Sequence, residues 1–88
     1  MAVGILFDGV GVTKEQYEQV LNEVGGEGTP GLLHHVAGAS DGGIVVVEVW
    51  ESQAALNTFV SEKLGAALQA AGITLQPKIF EVFNEFSN

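Results

Sequence analysis

The 88-residue sequence has no cysteine and no arginine, only three lysines, two prolines and a single tryptophan. Without cysteine there is no disulfide framework, thiol nucleophile or thiolate metal site. Without arginine the chain lacks the planar fork that grips phosphate and guanine in two places at once. Eleven acids against three bases leave a net charge of −8, which repels nucleic-acid backbones and anionic lipid. No nucleic-acid partner is expected. The opening residues lack the basic stretch of a signal peptide. No apolar run approaches the roughly 20 residues that span a bilayer. The expectation is a cytoplasmic protein with no membrane partner.

Apolar residues are plentiful, at 47% against 16% charged. The length fits a single domain over residues 1–88, which hides only about 60–65% of its unfolded surface. The surplus apolar surface calls for a partner interface, a pocket, or both. A second copy of the chain is the simplest partner.

Residues 3–7 form a short apolar run ended by Asp8-Gly9, a first strand. Thr13-Lys-Glu-Gln16 carries a capping-box pattern. Behind it, Tyr17, Val20, Leu21 and Val24 recur at helical spacing on one stripe. Gly25-Gly26 stops that helix and Pro30-Gly31 closes the loop after it. Ser52 caps a second helix, with Leu56, Phe59, Val60, Leu64, Ala67, Leu68 and Ala71 inward, Gly65 as a kink or break and Gly72 as the stop. A last strand runs from Lys78 to Phe86. The order βαββαβ predicts an α+β ferredoxin-like sandwich: a four-stranded antiparallel sheet with two helices on one face and the other face bare.

The hairpin between Gly31 and Ser52 holds both histidines, the tryptophan and a carboxylate inside a valine run. A turn at Asp41-Gly42 pairs His35 with Glu48, Leu33 with Trp50, Ala37 with Val46 and Ala39 with Ile44. A tip at Gly42-Gly43 brings Trp50 opposite His35 without changing faces. The valine row Val36, Val45, Val47 and Val49 suits the helix-packed core. By elimination His35, Glu48, Trp50, Ile44 and Val46 face the bare side, and His34 turns toward the helices. Adjacent strand residues point to opposite faces, so His34 and His35 cannot share one metal ion. No metal site is expected. His35 and Glu48 are either a base with its orienting carboxylate, in a cavity between two subunits, or a cross-strand polar pair at a dimer interface. Trp50 would offer a flat wall to an aromatic ligand. Tyr17 reads most simply as core, with a hydroxyl able to reach a pocket edge. The glycines of Gly9-Val-Gly11 and Gly25-Gly-Glu-Gly28 lack the strand-to-helix context of a phosphate loop and read as turns.

Three stretches carry a family likeness: Gly11-Val-Thr-Lys-Glu-Gln-Tyr17, Pro30-Gly-Leu-Leu-His-His-Val36, and Val49-Trp-Glu-Ser-Gln-Ala-Ala55 with Phe59. On these the chain resembles the dimeric α/β-barrel superfamily, particularly small proteins of the antibiotic-biosynthesis-monooxygenase type. That resemblance implies a homodimer whose open sheet faces pack together, with a pocket in each subunit. Characterised members include cofactor-independent oxygenases of polyketide quinols and anthrones, haem-degrading enzymes, polyketide cyclases and muconolactone isomerases. The haem-degrading type combines a first-strand asparagine with a histidine near the second helix. This chain has neither. The resemblance thus implies an oxygenase with no cofactor and a small aromatic or polyketide-like substrate. His35 would abstract a phenolic or enolic proton and Glu48 would hold His35. Trp50 would stack on the substrate, with Ile44, Val46, Leu33 and Tyr17 as further walls. A cyclase or isomerase using the same base without O2, and a non-catalytic ligand-binding or structural homodimer, remain alternatives.

Overall fold

A computed structural model describes residues 2–25, 28–74 and 77–86. Four strands form one antiparallel sheet in the order β2-β3-β1-β4: β1 (Val3–Val10), β2 (Leu32–Ser40), β3 (Gly43–Trp50) and β4 (Lys78–Glu81). Helix α1 (Lys14–Val24) follows β1. A second helical rod follows β3, made of α2 (Gln53–Phe59), a π-helical turn over Val60–Leu64 and α3 (Gly65–Ala70). The ferredoxin-like order expected from the sequence is the one observed.

The helix starts form as their side chains dictate. The Thr13 hydroxyl accepts from the Gln16 N–H at 3.1 Å, and the Gln16 side chain accepts from the Thr13 N–H at 2.9 Å. Both free donors are thereby satisfied at the first turn. The Gln16 amide also donates to the Ala71 carbonyl at 3.2 Å, tying the start of α1 to the end of the second rod. The Ser52 hydroxyl caps α2 by accepting from the Ala55 N–H at 3.1 Å. The α1 stop is Gly25, whose N–H bonds the Leu21 carbonyl. The other half of the expected stop, Gly26, lies outside the described residues.

Two element ends differ from expectation. Asp8-Gly9 does not end β1, because Asp8 and Gly9 keep pairing with Val45 and Ile44 of β3. The last strand pairs only as far as Glu81, opposite Val3, where the partner strand begins. Gly65 does not break the second rod. Its N–H reaches back five residues to the Val60 carbonyl, the wider turn of a π-helix.

The hairpin turns at Asp41-Gly42, with Gly42 at φ 77°, where only glycine avoids a side-chain clash. Its register from His35 to Ser40 is the expected one. Leu33 is not opposite Trp50, however. A bulge falls between Leu32 and His34, so Leu32 pairs with Trp50. Bulges bend an edge strand and re-aim the side chains beyond them.

The larger correction concerns the faces. Val3, Ile5 and Phe7 are the buried face of β1, and β3 pairs with them through Trp50, Glu48 and Val46. Glu48 and Trp50 therefore lie under the helices, in a core shared with Val20, Val24, Leu56 and Phe59. The valine row points the other way, with Val36 and Val47 exposed on the bare side. On that side the Phe80 ring covers Gly4 so closely that a Cβ there would sit within 2.2 Å of it. His34, expected under the helices, instead pairs with Glu85 at 2.8 Å. Because β4 and β2 are opposite edges, this contact carries the chain after β4 across the bare face.

Candidate active site

Four side chains from three elements form one hydrogen-bonded line. Trp50 Nε1–H donates to Glu48 Oε1 at 3.0 Å. Glu48 Oε2 lies 2.7 Å from His35 Nδ1, and His35 Nε2 lies 2.9 Å from the Tyr17 hydroxyl. An ionised carboxylate only accepts, so the network assigns the ring proton to Nδ1. The neutral imidazole then presents a lone pair at Nε2, to which the Tyr17 hydroxyl donates. The Tyr17 and His35 rings lie at 24° to one another with centroids 6.4 Å apart.

Each position follows from local structure. Glu48 and Trp50 are two residues apart on β3 and so share a face. His35 is delivered by its strand partnership with Glu48. Tyr17 sits one residue after the capping-box glutamine, its N–H bonded to the Thr13 carbonyl at 3.0 Å. The cap thus sets the phase that turns Tyr17 toward β2.

Glu48 is a buried carboxylate at 7% exposure. A charge is tolerated there because both oxygens are hydrogen-bonded. Burial raises the Tyr17 hydroxyl pKa above its ordinary 10.0, and the Glu48 charge raises it further. Tyr17 is accordingly held protonated, as a donor, throughout the neutral range.

This line borders an apolar cavity of 80 Å³ between sheet and helices. One water occupies about 10–15 Å³ on this scale, so there is room for several waters or a compact ring. Tyr17, His35, Glu48, Ile44 and Val46 all line it, which brings together five of the seven residues singled out from the sequence. The cavity lies within one subunit, on the helical side of the sheet, and not on the bare face. Trp50 offers no wall to a ligand, since it is fully buried and packs against Phe59 at 5.0 Å. Leu33, at the bulge, is half-exposed and lies outside the cavity lining. Sequence reasoning missed the helical walls, Val20, Leu21, Val24, Leu64 and Leu68. Their periodic stripe announces burial, and periodicity alone cannot separate a packed core from a pocket wall. Among the described residues, no three His, Asp or Glu side chains gather as metal ligands, and no helix is long and apolar enough to cross a membrane.

No protein-family model matches the chain, and no curated protein matches it. Solved structures do. The chain has the fold of the antibiotic-biosynthesis-monooxygenase-like proteins, an α+β ferredoxin-like sheet with its helices on one face. It is similar to a putative antibiotic biosynthesis monooxygenase from Chloroflexus aurantiacus, at TM-score 0.73 and 15% identity, covering 99% of this chain and 98% of that one. SnoaB, a cofactor-independent oxygenase from Streptomyces nogalater, matches in a point-mutant form at TM-score 0.69 and 15% identity, over 99% and 97% of the two chains. The ActVA-Orf6 monooxygenase of Streptomyces coelicolor, in complex with nanaomycin D, matches at TM-score 0.63 and 20% identity, over 99% and 91%.

Proposed function

We propose that the chain is a small-molecule enzyme that oxygenates a phenolic or enolic substrate without a cofactor. The observation that carries this is the Tyr17–His35–Glu48 line on the wall of an apolar cavity. Tyr17 donates to Nε2, which leaves its oxygen able to accept from a ligand hydroxyl. The ligand proton passes to the Tyr17 oxygen as the Tyr17 proton passes to Nε2. Glu48, itself buried, then faces an imidazolium, and the burial of the carboxylate strengthens that ion pair. The resulting carbanion gives one electron to O2, and the two radicals join as a peroxide. Loss of water leaves a carbonyl, so a CH2 and O2 become C=O and H2O. The likeness to SnoaB and ActVA-Orf6 supports this chemistry at the level of fold.

A second copy of the chain covers the bare face in this proposal. Val36, Val47 and Phe80 are exposed there, and Phe83 and Phe86 follow on the crossing segment at 98% and 82% exposure. Lone monomers rarely leave so contiguous an apolar surface to water.

Oxygen uptake with a panel of quinols and anthrones tests the reaction. The expected result is turnover by the native protein that drops at least about a hundredfold in His35→Ala. No uptake across the panel, or equal turnover by the variant, overturns it. Proton exchange on enolisable substrates without O2 uptake would point to an isomerase instead. Equilibrium sedimentation at micromolar concentration should give a dimer that Val47→Asp converts to monomer.

A further inference from the structure

A second cavity of 340 Å³ lies beside the first, between the second helical rod and the β1–β4 edge. It is apolar, with Ile5, Val60, Pro77 and Ile79 in its walls and Asn57 and Ser61 at its rim. Phe7, Leu64 and Leu68 line both cavities. Among the described residues these three side chains are the lining that the two cavities share. Leu64 ends the π-helical turn, and Val60 and Ser61 of the same turn face the second cavity. Such turns recur at functional sites, where an added residue re-aims side chains.

The volumes divide the work. The first cavity has the hydrogen-bonding line but room only for a compact ring. The second is about four times larger, yet its lining lacks any titratable side chain among the described residues. We propose that the two are halves of one binding chamber, for a ligand with an acidic hydroxyl on a ring and an apolar extension. The ring hydroxyl meets Tyr17 and His35, and the extension passes the Phe7–Leu64–Leu68 wall to lie against Val60 and Ile79. The half-exposed Ile79 and Val60 gain a partner on binding. This inference rests on the proposed role of His35, and adds the shape of the substrate.

A series of 4-alkylphenols, from methyl to hexyl, tests it by calorimetry and by NMR of the His35 ring and the Val60 and Ile79 methyl groups. Binding should tighten about thirtyfold or more from methyl to hexyl, below the several-hundredfold ceiling if every methylene were fully buried. Only the longer members should shift Val60 and Ile79. Val60→Gln, with Ile79→Gln as a second variant, should abolish the gain with chain length and leave 4-methylphenol binding unchanged. If 4-methylphenol shifts His35 but lengthening brings no gain, or if the gain survives both variants, the chamber is refuted and the His35 site stands. If no member shifts His35, both fall.

Discussion

His34 and His35 are neighbours in the chain, and each meets a glutamate at nearly the same distance, 2.8 and 2.7 Å. Alternation on β2 sends them to opposite faces, and nothing else about the two pairs is alike. The His34–Glu85 pair is open to solvent, with side chains 52% and 37% exposed, against 30% and 9% for His35–Glu48. Water screens the first pair and competes for its hydrogen bonds. The second is extended at both ends, by Trp50 behind the carboxylate and Tyr17 beyond the ring. Equal distance therefore does not mean equal chemistry. Burial and the outer partners decide.

The sharpest way to break this contrast is to delete each acid. Glu48→Ala strands the Trp50 N–H in the interior and leaves His35 Nδ1 without its carboxylate, and should cost about 3 kcal/mol in urea denaturation. Glu85→Ala should cost less than about 0.5 kcal/mol. Comparable losses would mean that burial is not what separates the pairs. Replacing each acid by its amide leaves shape and removes charge. Glu48→Gln should lower turnover roughly a hundredfold and, by ¹⁵N NMR, let His35 populate both neutral tautomers. Glu85→Gln should leave both readouts as they are. The smallest effect concerns Tyr17. Its folded pKa lies above the unfolded value of 10.0, so between the two the unfolded chain has lost a proton that the folded one keeps. The stability from this shift is present below pH 10 and is lost as pH climbs through the folded value. Tyr17→Phe should flatten that alkaline decline, read from chemical melts between pH 9 and 11.

Element order was legible in the sequence because each element carries its own local signal: the Thr13 and Ser52 caps, the helical stripe from Tyr17, the Asp41-Gly42 turn. The partnership of His35 with Glu48 was legible too, since a two-residue turn fixes the register on either side. Which face they occupy was not. Valines satisfy any pleated surface, so a uniform valine row looks like a core and proves to be the bare side. The deciding fact is the pairing of β1 with β3, which sets Ile5 beside Glu48 and Val3 beside Trp50. The two strands are joined through a helix and a third strand, so no turn specifies that register. The Leu33 bulge was hidden for a related reason. Nothing in Leu32-Leu33-His34 marks one leucine as extra, and the mismatch arises only against β3.

The π-helical turn bears on how the chain would be aligned to other sequences. An α-helix advances about 100° per residue, and the wider turn at Val60–Leu64 takes up one extra residue midway along the second rod without adding that rotation. Leu56 and Phe59 before it, and Leu64 and Ala67 after it, face the same core only because of that insertion. A related chain with an unbroken α-helix here would need a one-residue gap between positions 59 and 64. Its apolar residues would then recur at four where this chain spaces them at five. Deleting Ser61 would let the rod close as an unbroken α-helix with its two halves still in phase, keeping Leu64 and Leu68 on both cavities.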